Sequence, residues 1–191
     1  TARWFVLSAS PPERDIFWSE SGVEADGKFI RKIWNTINQL NLLAKGETKN
    51  ENKEKTANLR KISHKALYKI TRDLDNLSFN KVIASLYEFI GDISKINEND
   101  NISSEALDET LSFLLVMLGP ITPHLAEEGW SLFSEKKGLL CEQAWPCTDE
   151  NLITETNIKL PIQINGKKKT EIEVEKNIDE DRLKELILNE V

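Results

Sequence analysis

SSEALDETLSFLLVML, the stretch from Ser103 to Leu118, decides the fold. Its last five residues, Leu114, Leu115, Val116, Met117 and Leu118, make a helix apolar on nearly every side. Such a helix needs neighbours all round it, so this one belongs at the centre of a bundle. It stops at Gly119-Pro120. The apolar run from Leu111 to Leu118 falls far short of the roughly 18 residues that a membrane span needs, so no membrane is expected.

The segments before it supply those neighbours. Ser21 and Glu24 have the spacing of a capping box, and Phe29, Ile30, Ile33, Trp34, Ile37 and Leu40 follow at helical intervals up to about Lys45. Lys28, Arg31, Lys32 and Asn35 take the opposite face. Gly46 to Glu54 holds no apolar residue and reads as an exposed connector. A second helix, from about Lys55 to Leu77, carries Leu59, Ile62, Ala66, Ile70 and Leu74 on one stripe. A third, from Ser78 to about Ile96, buries Phe79, Val82, Ile83, Leu86, Ile90 and Ile93, with Gly91 weakening it slightly. Thr122-Pro123 then opens a short fifth helix through Leu125, Trp130 and Leu132. Five helices in succession predict a mainly α fold, an up-down bundle.

After Trp145-Pro146 the apolar period changes from 3.6 to two. Ile158, Leu160, Ile162 and Ile164 alternate with polar residues or proline, Asn165-Gly166 gives a hairpin signal, and Ile172 and Val174 alternate on the return strand. Asp179 starts a helix through Leu183, Leu186 and Ile187. A lone hairpin with one helix is marginal, so residues 156–191 read as an incomplete α+β piece continued by strands beyond Val191. The bundle is assigned to residues 21–155 and a connector to residues 1–20. A first residue of Thr rather than Met, with no leader pattern, suggests a piece of a longer protein.

The 191 residues include 25 Lys and Arg against 32 Asp and Glu, a net charge of −7 that is unevenly spread. Gly46 to Arg72 has a local balance of +5, and Ser85 to Thr110 one of −6. Lys61, Lys65, Lys69 and Arg72 fall on one side of a helix, away from Leu59, Ile62 and Ala66 and with Tyr68 among them. Such a stripe is either a solvated face or a phosphate-contacting surface. Lys167, Lys168 and Lys169 form a second basic group. The acidic stretch from Glu88 to Glu109 leaves open a different class of function, docking of a protein partner.

Catalytic and metal chemistry find no purchase. Cys141, Cys147, His64 and His124 do not stand at disulfide or zinc spacings, and no cation neighbours Cys141 to activate it. No Gly-rich phosphate loop, G-x-S-x-G or H-E-x-x-H occurs. Glu127 and Glu128 are adjacent on a helix, about 100° apart, and read as a solvent face or a cap. Trp34, Trp130 and Trp145 are read as core. No catalytic residue and no metal ligand is assigned.

Two stretches are specific enough to name a family. Ala2-Arg3-Trp4-Phe5, Ser10-Pro11-Pro12-Glu13-Arg14-Asp15 and Phe17-Trp18-Ser19-Glu20-Ser21-Gly22-Val23-Glu24 resemble the region after the second catalytic signature of bacterial leucyl-tRNA synthetases. Residues 120–130, PITPHLAEEGW, resemble the P-x-x-P-H-x-x-E-E-x-W signature of the helical tRNA-binding domain in class Ia synthetases, with Gly129 in place of the usual Leu, a change expected to thin the packing. Leu59-Arg60, His64-Lys65, Ile70-Thr71, Asp73 and Phe79-Asn80 keep the order of the leucyl family's central helices. Ile162-Gln163-Ile164-Asn165-Gly166-Lys167 is similar to the start of its C-terminal domain. The valyl, isoleucyl and methionyl relatives share the bundle without this wording.

The resemblance implies a division of labour. The nucleotide fold, the H-x-G-H and K-M-S-K-S motifs, and the editing domain of such a cytoplasmic, monomeric enzyme belong elsewhere in the parent, which uses ATP and Mg. Residues 1–20 would lead from that catalytic part, and Arg3 and Arg14 would tie the bundle to it. The partner implied is tRNA-Leu, held through its backbone by Arg60, Lys61, His64, Lys65, Lys69 and Arg72, with Lys28, Arg31 and Lys32 and then Lys167, Lys168 and Lys169 as further contacts.

Overall fold

The computed structural model describes residues 1–46, 50–133, 138–154, 157–164, 167–175, 178–179, 182–184 and 186. The chain divides into two compact units, Thr1–Ile153 and Thr154–Val191. The first is helical: α1 (Ala2–Ala9), α2 (Glu20–Lys45), α3 (Lys53–Asp75), α4 (Phe79–Ile93), α5 (Ser104–Leu118), α6 (Pro123–Phe133) and the short α7 (Glu150–Ile153). Single 3₁₀ turns occupy Glu98–Asp100 and Leu140–Glu142.

Helix α5 occupies the centre, as its composition requires. Leu111, Leu114, Leu115, Met117 and Leu118 lose all contact with solvent. Around them pack α2, α3 and α6, and α3 lies in turn against α4. Burying these side chains contributes roughly 1.5–3 kcal/mol each. Side-chain caps fix where the helices start: Ser103 Oγ accepts the Ala106 N–H ahead of α5, and Asn52 Oδ1 accepts the Lys55 N–H ahead of α3. The cap of α2 is Ser19, whose Oγ accepts the Gly22 N–H, and not Ser21. That helix therefore opens at Glu20.

Residues 1–20, read above as a connector, include α1, which packs on α2 and α4. Trp4 is fully buried, with ring centroids 5.6 Å from Phe29 and 5.6 Å from Tyr87. Its indole N–H points at the Tyr87 hydroxyl (3.3 Å), which donates to Asp26 Oδ1 (2.7 Å), so one polar chain joins α1, α4 and α2. Burial and then the bond to Asp26 push the Tyr87 hydroxyl pKa up to about 12.

Gly129 corrects the expectation of thin packing. A Cβ built on it would meet Leu115 Cδ2 at 2.6 Å and Ile37 Cγ2 at 3.4 Å, because α6 lies close against α5 and α2 and their side chains fill the space a larger residue would take.

In the second unit β1 (Asn157–Ile164) pairs antiparallel with β2 (Lys167–Glu175). Ile158 faces Val174 and Leu160 faces Ile172 in register, and a bulge falls between Ile162 and Gln163. Ile162, Ile172 and Val174 are buried together with Leu160, Ile178 and Leu183 against them, as the period-two reading requires. The expected turn at Asn165-Gly166 lies outside the described residues, as does Ile187. Asp179 accepts the Leu183 N–H (2.9 Å) through its backbone carbonyl.

Overpacking makes the Gly129 site testable. Gly129→Leu should destabilise the bundle by about 1–3 kcal/mol in urea unfolding, and adding Leu115→Ala should recover part of that loss by making room. Additive losses in the double mutant would show that Leu115 is not the obstruction.

Candidate nucleic-acid interface

Three sides of α3 are settled by what packs there. Leu59, Leu67 and Ile70 are buried on the core side, and Ser63 Oγ and Thr110 Oγ1 share a buried hydrogen bond of 2.9 Å that registers α3 against α5. One flank meets α5 and a strap formed by residues 138–153. The other flank meets α4.

On the strap flank, Arg60 grips Glu109 with two bonds, Nε to Oε2 at 2.7 Å and Nη2 to Oε1 at 3.2 Å. His64 is only 4% exposed. Its Nδ1 accepts the Asp149 N–H at 3.0 Å, which puts the ring proton on Nε2, 3.3 Å from Glu109 Oε1. Its ring stands edge-on to Phe113 at 5.0 Å. His64 is therefore a fastening between helix and strap, and its assignment as an exposed backbone contact is withdrawn. Trp145, read above as core, is 36% exposed and hydrogen-bonds Thr71 Oγ1 through its indole N–H (2.8 Å), a second fastening of the same strap.

A third fastening comes from Glu127, whose two carboxylate oxygens accept the N–H groups of Leu140 (2.7 Å) and Cys141 (3.0 Å). Glu127 thus caps the 3₁₀ turn while Glu128 is exposed, one residue on each side of the solvent-face-or-cap alternative. The two backbone bonds hold the Glu127 carboxyl below the usual range. Partial desolvation and the facing Glu127 raise the Cys141 thiol. That is the opposite of an activated nucleophile.

On the α4 flank, Lys69 pairs with Glu88 (3.0 Å) and Lys55 with Asp100 (2.6 Å). With Arg60–Glu109 and Lys95–Asp92 (3.1 Å), four of the acids between Glu88 and Glu109 are paired within the bundle. Three of the seven acids there, Glu88, Asp100 and Glu109, are counter-charges to α3, so part of the acidic stretch is spent inside the bundle, while Glu98, Glu105 and Asp108 stay exposed.

The outward side of α3 carries Lys61, Lys65, Tyr68 and Arg72, within about 60° of one another and spread over about 16 Å of helix, with Lys65 half-buried and the other three exposed. Arg72 leans on the buried Asp73, with Nη2 3.0 Å from Oδ1. On α2, Arg31 and Lys32 are exposed, and Lys28 pairs with Glu24 one turn away (3.1 Å). Lys167, Lys168 and Lys169 lie in β2 of the second unit, with Lys169 exposed at the bulge. Among the described residues no group of three or more His, Cys, Asp or Glu side chains converges as a metal site, and no helix is long and apolar enough to cross a membrane.

Residues 56–186, which include all of this surface except α2, match the family described as the anticodon-binding domain of tRNA ligase. The chain belongs to that family. Among its relatives, this anticodon-binding domain is 39% identical to the leucine–tRNA ligase of Bartonella henselae over 98% of its length. It is 37% identical to that of Agrobacterium fabrum over 96%. It spans 22% of each of those proteins. A crystal structure of the agnB2 LeuRS of Agrobacterium radiobacter K84 in ternary complex with tRNA and LeuAMS superposes with a TM-score of 0.75 at 25% identity, over 97% of this chain and 24% of that one.

The Arg60–Glu109–His64 cluster of the anticodon-binding domain has a defined pH signature. Burial pushes the Glu109 carboxyl up, but the bonds from Arg60 and His64 more than offset this and hold it below its ordinary value. The group contributes stability above the usual glutamate range, and that contribution is lost as pH falls through the lower folded-state value. Urea unfolding should find wild type above Glu109→Gln near pH 7 and the gap narrowing steadily as pH is lowered from the ordinary glutamate range through the lower folded-state value. A gap that does not change with pH would mean that Glu109 acts through shape and not charge.

Proposed function

We propose that this chain docks the body of tRNA-Leu for a cytoplasmic leucine–tRNA ligase, an enzyme that joins leucine to its tRNA using ATP and Mg. In this reading the bundle has no catalytic residue. It holds the tRNA backbone and directs the 3′ end toward the catalytic and editing parts of a monomeric parent. The observation that carries the proposal is the outward cationic face of α3, on a chain that aligns with leucine–tRNA ligases over nearly its whole length.

The physical case is local. Lys61, Lys65 and Arg72 project from one rigid helix, so their spacing is fixed before RNA arrives and little ordering entropy is lost on contact. A-form RNA offers phosphates and 2′-hydroxyls, not a readable major groove, and suits such a face. Lys69 would join if an RNA phosphate displaced its exposed pairing with Glu88, an exchange that costs little because exposed ion pairs are weak. Arg31 and Lys32 of α2 supply further contacts. Arg60 is committed to Glu109 and is assigned to holding the fold.

The test is a salt titration of binding to a tRNA-Leu transcript and to a tRNA with a short variable arm. About four to six phosphate contacts give a log–log slope of roughly −3 to −5. The double variant Lys61→Glu/Lys65→Glu should flatten the slope by about 2 and weaken binding to both tRNAs. An unchanged affinity in that variant would remove α3 from the interface.

A further inference from the structure

Tyr68 takes no part in the ion pairs and strap fastenings of α3. Its side chain is 48% exposed, and it makes no hydrogen bond among the described residues. The core does not need it, because Leu67 and Ile70 beside it are fully buried. On the helix Lys65 stands three residues before it, Arg72 four residues after it and Lys61 seven before it, which are the positions that share a face with it. A half-exposed aromatic ring is thus framed by three cations.

This combination has a specific ligand chemistry. Cations alone take phosphates and are indifferent to whether the bases are paired. A ring needs a flat partner, and the faces of paired bases are already covered by their neighbours in a duplex. Arg72 is suited to the phosphate beside such a base, since Asp73 engages only part of its five-donor fork and fixes the rest in place.

We propose that Tyr68, with Lys65 and Arg72, forms a binding spot for an unpaired nucleotide of the docked RNA, the phenol ring stacking on the base while the cations take the flanking phosphates. The inference rests on the tRNA-docking reading and narrows it: this face selects a looped or bulged nucleotide and not merely a helical backbone.

The experiment compares wild type, Tyr68→Ala, Tyr68→Phe and Lys61→Glu on two probes, the tRNA-Leu transcript and a fully paired RNA duplex of similar length. Far-UV circular dichroism confirms the fold of each variant. Stacking predicts that Tyr68→Ala weakens transcript binding roughly 5- to 150-fold. It also predicts that Tyr68→Phe stays within about twofold of wild type, because the ring and not the hydroxyl is needed, and that duplex binding is the same for all three. Wild-type affinity for the transcript in Tyr68→Ala, or an equal loss on the duplex, overturns the inference. If Lys61→Glu still weakens the transcript in that case, the docking reading survives without it. No transcript binding by wild type at low salt overturns both.

Discussion

The burial of α5 on all but the flank that carries Glu105, Asp108 and Ser112 is the constraint from which the rest follows. A helix with Leu111, Leu114, Leu115, Met117 and Leu118 all removed from water must be enclosed, and α2, α3 and α6 enclose it. Enclosure also fixes register. Ser63 and Thr110 are buried and bonded to one another across the α3–α5 seam, so α3 cannot slide without leaving both hydroxyls unpaired. With the seam locked, Glu109 next to Thr110 falls opposite Arg60 and His64, and the polar residues above the seam are placed by the apolar ones within it.

That placement explains how an acidic protein can present a basic surface. The overall charge of −7 would repel a polyanion at long range. Much of the negative charge near α3, however, is already matched to lysine or arginine at short distance. At physiological salt, fields decay over about 8 Å. A strip about 16 Å long on one helix is then governed by its own cations more than by the distant total.

Most of the architecture was legible in the sequence, since helix and strand periods leave direct marks in apolar spacing. The hairpin registers Ile158 with Val174 and Leu160 with Ile172 as the alternation demands. The failures have local causes. Helix α1 is eight residues long with no side-chain cap bond, so it offers neither a period of useful length nor a start signal. Ser19 and Ser21 are two residues apart and both chemically able to cap α2, and only tertiary packing chooses between them. The basic stripe was visible as a spacing, but its division was not. Arg60 turns to Glu109, 49 residues away, and His64 to Asp149, 85 residues away, and pairings at that distance leave no mark in a helical wheel. Gly129 misled for a related reason, because a missing side chain says nothing about which neighbour fills its place.

The strap is tied down largely through its own main chain: Leu140 and Cys141 offer their amides to Glu127, and Asp149 offers its amide to His64. An amide is the same whatever side chain it carries, proline excepted. The fastening information therefore resides in the helices, at Glu127 and His64, while much of the strap is free to drift in composition. That freedom ends at positions such as Leu140, which is buried, Trp145, which uses its indole, and Gly138, whose φ of +116° favours glycine.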